Sequence, residues 1–305
     1  MRVLEKLADF IDPRDGMLMD SDYPEDMARG EKYEVSSSVR QFINVYLTQL
    51  KLFSKDVTTY GLYLFVLAIP IITFSNVLDG IVFENYLEKI GDTGETYAAL
   101  CLGLLPLMMA LLASIICGNI LPNEFKSRTA YLNFPFPQSR STLYFGKFLA
   151  GLTLAVSVLI AAFAMVIFVS TWKYGSLSSI AMGQAMVVAI AGLFAFCATA
   201  YGISAFMSRS STMLPFILIF MVLPMFGLLL SGSDVFSSYI GYLPCFSGDI
   251  AVMCLGSQYS VSTSFLFSDV TLLSSCKPMI SAGLSVLWGA IFLIVGLNMI
   301  HRREM

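Results

Sequence analysis

FLAGLTLAVSVLIAAFAMVIFVST, from Phe148 to Thr171, contains no Asp, Glu, Lys, Arg or His. A helix rises about 1.5 Å per residue, and the hydrocarbon core of a bilayer, about 30 Å thick, takes about 20 apolar residues to cross. This run is long enough. It lacks the period-2 alternation of a membrane barrel strand, and in lipid a helix is the other structure that satisfies every backbone donor and acceptor. Five further uncharged runs have the same character: Thr58–Leu78, Tyr97–Leu121, Ile180–Met207, Met213–Ser231 and Met279–Ile300. Composition agrees with that reading. Of 305 residues, 57% are hydrophobic and 13% charged, with a mean hydropathy of +0.76, whereas soluble domains carry about 25% charged residues. The expected fold is an all-α integral membrane protein with six transmembrane helices, over residues 58–300.

Cations near the span ends set the orientation, because acidic residues contribute little to it. Ten lie on one side, namely Arg40, Lys51, Lys55, Lys126, Arg128, Arg140, Lys147, Arg209, Arg302 and Arg303, and three on the other, Lys89, Lys173 and Lys277. Both termini are therefore expected in the cytoplasm and the chain in the cell membrane. Residues 1–35 read as a loosely ordered acidic cytoplasmic tail, with Asp9, Asp12, Asp15, Asp20, Asp22, Glu25 and Asp26. With no apolar stretch before Thr58, no cleaved signal peptide is expected. From residue 36 to 56 the pattern changes: Val39, Phe42, Ile43, Tyr46, Leu47, Leu50 and Phe53 recur at helical spacing among polar positions. This is an amphipathic helix, expected to lie in the interface of the cytoplasmic leaflet. A long outer loop separates spans five and six, and residues 301–305 form a short cytoplasmic end.

Several chemistries are disfavoured by what the sequence lacks. A net charge of -3 and no basic block argue against nucleic-acid binding. The only histidine is His301, so neither a metal site of Cys/His spacing nor a Ser/His/Asp set inside the membrane is expected. Cys101, Cys117 and Cys197 fall within spans, and Cys245, Cys254 and Cys276 in the outer loop, where one pair could bond in an oxidising space. The spans as drawn carry no ionisable group, which weighs against a proton relay. A P-loop needs Gly-x4-Gly-Lys-[Ser/Thr]; the only Gly-Lys, Gly146-Lys147, has Ser141 at the first glycine position and Phe148 after the lysine. No catalytic residue and no cofactor are expected.

Spans two and three are joined by NEFKSRTAYLNFPFPQSRSTLYFGKFLAG, Asn123 to Gly151. Pro122 suits the first turn of a short helix carrying Glu124, Phe125 and Lys126, and Pro135 and Pro137 end it, since each lacks a donor and fixes φ. Ser139 then caps a second helix running through Ser141 into span three, with Lys147 expected to snorkel to the headgroups.

In this loop the sequence resembles the permease subunits of ABC-2 type ATP-binding-cassette transporters. Their inner loop places an acidic residue, a Gly-Thr pair, a leucine-rich turn, Pro-x-Ser-Arg and then Gly-Lys before an apolar span. The matching positions are Glu124, Thr129, Leu132, Pro137, Ser139, Arg140, Gly146 and Lys147, with Arg128 standing where the family usually has glycine. The aromatic and proline segment Tyr239–Phe246 in the outer loop is similar to one such permeases place there. The resemblance implies a non-catalytic permease that pairs with a second permease subunit, identical or related, and with cytoplasmic ABC ATPase subunits. It implies export, with Glu124, Phe125, Lys126, Arg128, Thr129, Pro137, Ser139 and Arg140 as the ATPase-coupling loop. The alternative is an ATP-independent polytopic channel or secondary transporter, which would work as purified protein down a gradient.

Overall fold

A computed structural model describes residues 38–74, 94–103, 105–126, 140–175, 179–206, 261–265, 268–272 and 278–302. The amphipathic segment forms α1, Ser38–Lys55. A tight corner at Asp56 leads into α2, Val57–Phe74. The Asp56 carboxylate caps α2 by accepting from the Thr58 amide at 3.0 Å and the Thr58 hydroxyl at 2.9 Å. Tyr60 closes the corner, its hydroxyl donating to the Ser54 carbonyl at 2.8 Å.

The second apolar run is not one helix. It is divided into α3 (Gly94–Gly103), α4 (Leu105–Ile116) and α5 (Ile120–Lys126). Pro106 sits in the first turn of α4, where its missing amide costs nothing. At the other break the amides of both Cys117 and Gly118 donate to the Ala113 carbonyl, at 2.9 and 3.1 Å, so α4 closes in a widened turn. A Cβ on Gly118 would collide with the Ser114 carbonyl oxygen, which explains a glycine there. α5 begins at Ile120, two residues before Pro122, and Pro122 again occupies a first turn.

Two long helices follow, α6 (Arg140–Tyr174) and α7 (Ser179–Ser204), and α8 (Pro278–Arg302) ends the described chain. At 35 residues α6 is roughly 52 Å long, longer than a hydrocarbon core of about 30 Å; it starts eight residues ahead of the apolar run. Among the described residues, three helical stretches are long and apolar enough to cross a membrane: Arg140–Lys173, Ile180–Ser204 and Ala282–Arg302. The apolar stretches Val57–Ala68, within α2, and Met108–Glu124, across the break between α4 and α5, are shorter. The fifth expected span, Met213–Ser231, lies outside the described residues. To the all-α expectation the structure adds one antiparallel ribbon in the expected outer loop, β1 (Val261–Phe265) with β2 (Ser268–Leu272), in the register Val261↔Leu272 to Phe265↔Ser268.

α6 is the hub, packing on α1, α2, α3, α4, α7 and α8. Its contacts set the helix directions. Its first turns meet the ends of α5, α7 and α8 through Lys147–Glu124, Tyr144–Tyr201 and Ser141–His301. Its last turns meet the start of α3, where the buried Ser170 hydroxyl donates to the Gly94 carbonyl at 2.7 Å. α7 and α8 thus both run antiparallel to α6 and parallel to each other. α7 and α8 run side by side along a glycine seam: a Cβ on Gly202 would strike the Phe292 carbonyl, and one on Gly296 would strike Tyr144 Oη and approach Gly202 Cα to 2.8 Å. Ala110, Ser114 and Gly118, a row of small residues on span two, are buried within this bundle, where small side chains let helices approach closely.

Candidate coupling site

Glu124 lies in the last turn of α5, two residues before its end at Lys126, and Lys147 lies two turns into α6. The sequence pattern expects Lys147 to reach headgroups. Instead it is 5% exposed, the only buried charged side chain among the described residues, and its ammonium donates to Glu124 Oε1 in an ion pair. The physical reason is that a cation held among helices lacks water, and the pairing carboxylate compensates part of the desolvation. Glu124 therefore turns inward to α6.

The start of α6 is tied to the end of α8 as well. Arg140 Nη1 donates to the His301 carbonyl at 3.4 Å, and Ser141 Oγ shares a 3.2 Å hydrogen bond with His301 Nε2. One turn further in, the Tyr144 hydroxyl donates to the Leu293 carbonyl at 3.3 Å and Tyr201 donates to the Tyr144 carbonyl at 2.9 Å. Rings of Tyr144, Tyr201, Phe148 and Phe194 stack in a chain with centroids 4.7, 5.4 and 5.9 Å apart. Neither tyrosine contact follows from spacing: both join positions far apart in sequence, and the only signal was an aromatic residue beside each end of an apolar run.

Two glycines set how closely α6 is approached. At Gly146 a Cβ would meet Val45 Cγ1 of α1 at 3.0 Å, and at Gly151 it would meet Cys117 Sγ and Ile120 Cδ1 at 3.0 Å each. The first brings α1 against α6, with Tyr46 donating to Thr153 Oγ1 at 3.4 Å. The second seats the break in span two.

Of the sequence-expected coupling residues, the structure brings Glu124 and Arg140 to the two described ends of the inner segment. Phe125 and Lys126 continue α5; Arg128, Thr129, Pro137 and Ser139 lie outside the described residues. Lys147 departs from the snorkelling position expected of it, being buried and ion-paired. The signal available was a lone cation beside an apolar run with an acidic residue one loop earlier. No group of three or more metal-ligating side chains occurs among the described residues. Thr199 satisfies itself on the Ala195 carbonyl of its own helix at 2.7 Å, and Gln184 is exposed.

These features define a multi-pass helical membrane protein with a tightly bonded end where α5, α6, α7 and α8 meet. The chain belongs to the ABC-2 family: the family described as ABC-2 family transporter protein matches residues 72–305, well over half of its length. It is an ABC-2 type permease, a membrane component of ABC transport. The match starts within α2, so α1 lies outside it. Comparison with curated proteins finds no match.

Proposed function

We propose that this permease is the translocation subunit of an exporter whose energy comes from a separate cytoplasmic ABC ATPase, received by residues 123–140. The observation that carries the reading is that both described ends of this segment are bonded into the bundle, Glu124 to Lys147 and Arg140 to His301. A push on the segment therefore reaches α6 and α8 directly. The one Gly-Lys pair supports an external energy source: Gly146 and Lys147 are interior residues of α6, with Lys147 ion-paired, so they form no phosphate-cradling loop. In this reading the chain crosses six times with both termini in the cytoplasm of the cell membrane, and pairs with a second, identical or related, permease subunit. The contacts of α1 at Gly146 and Thr153 flank the start of the third apolar run at Phe148, which favours an interfacial level for α1.

The test is purification from native membranes in mild detergent. A P-loop ATPase copurifies with wild type and is lost on Lys126→Glu with Arg128→Glu, while the permease remains monodisperse. Inverted vesicles holding the complex then take up the transported compound with ATP only. Flux through the purified permease alone, without ATPase, would overturn the proposal in favour of a channel or secondary transporter.

A further inference from the structure

We infer that Lys147 is a positioning residue that fastens α5 to α6, so that α5 and the start of α6 move as one body about a hinge at Cys117–Asn119. The inference rests on the coupling reading of residues 123–140 and assigns the route by which motion enters the bundle. α5 has two attachments to α6. Ile120 Cδ1 lies where a Cβ on Gly151 would touch it, and Glu124, one turn later, is ion-paired to Lys147, one turn before Gly151. Its link to α4 is weaker. The helix stops at Ile116, the amides of Cys117 and Gly118 share one acceptor, and a new helix starts at Ile120. Sharp bends in helices occur where the ladder of hydrogen bonds is interrupted in this way, and such element-terminal residues are where a hinge absorbs backbone rotation. A buried ion pair gives little net stability over an apolar pair of similar volume. Its best-attested use is to fix which groups pair, and here it fixes α5 to α6.

The consequence is directional. Although α5 is continuous in sequence with span two, a displacement of residues 123–140 passes to α6 through the Lys147–Glu124 pair, and from α6 to the helices packed on it, rather than straight along span two into α4.

Spin-label distances test this in the full chain with its native cysteines replaced. Nitroxides on the exposed positions Asn123 and Phe145 report the α5–α6 joint, and a pair at Leu111 and Asn123 reports the hinge. Without ATPase, the 123–145 pair gives one narrow distance, Lys147→Met broadens it, and the exchanged pair Glu124→Lys with Lys147→Glu restores it. A purely structural contribution of Lys147 would lower stability without this pattern. In the complex with copurified ATPase, trapping with ATP and vanadate shifts the 111–123 distance and leaves 123–145 unchanged. A 123–145 distance that is unaffected by Lys147→Met, or that changes on trapping while 111–123 stays fixed, overturns the inference. If no ATPase copurifies, the coupling reading fails on its own, and the resting distances still decide whether Lys147 fastens α5.

Discussion

The phenol of Tyr201 crosses from α7 to α6 and donates to the main-chain carbonyl of Tyr144 at 2.9 Å, while the two rings lie 4.7 Å apart. Tyr201 is wholly buried, so its hydroxyl has this carbonyl in place of water. Tyr201→Phe keeps the ring stack and loses the bond, which costs about 1 kcal/mol. Tyr201→Ala also loses the packing and costs about 3–5 kcal/mol. Thermal unfolding of the two variants in one detergent checks the gap between them.

Removing one partner of the Glu124–Lys147 pair leaves a charge among helices. Lys147→Ala and Glu124→Ala are each expected to destabilise by about 3 kcal/mol, the low end for buried pairs, because 19% of the Glu124 side chain remains exposed. Replacing both with Leu and Met is expected to recover most of the loss. A double-mutant cycle from denaturant midpoints measures the coupling.

Glycine is required on the α7–α8 seam at Gly202 and Gly296, and not at Gly183 and Gly283 of the same helices. Gly202→Ala and Gly296→Ala drive a methyl into the neighbouring helix and should destabilise by about 1–3 kcal/mol. Gly183→Ala and Gly283→Ala face open space; with the backbone entropy of glycine removed, they should be neutral or stabilising by up to about 1 kcal/mol. Melting temperatures of the four variants separate the two groups.

The corner between α1 and α2 depends on one carboxylate. Asp56→Ala removes both Thr58 contacts and is expected to cost about 1 kcal/mol, whereas Asp56→Asn retains the cap. Protease protection near residue 56, compared for the two variants, reads the effect.

The long helices were legible because lipid imposes one rule on every residue: α6 and α8 contain the apolar runs that announced them, and α7 covers its run up to Ser204. The division of span two was not. Counting charges cannot detect a break that leaves the run uncharged, and the clues, Pro106 and Gly118, are residues that continuous membrane helices also tolerate. The loop motif picks out Glu124 and Arg140, but it carries no signal of the bonds they make to Lys147 and His301. Snorkelling is the default for a lysine beside an apolar run, and only the position of α5 puts an acid within reach of Lys147. Likewise α1 shows its apolar stripe in sequence, but that stripe does not say what it covers; the structure sets part of it on α6 at Gly146 and leaves Val39 exposed.

Where Gly202 and Gly296 meet, the two main chains touch with no side chain between them. A gap that narrow admits neither an acyl tail nor a hydrated solute. At that level the seam between α7 and α8 is closed to anything that crosses the bundle.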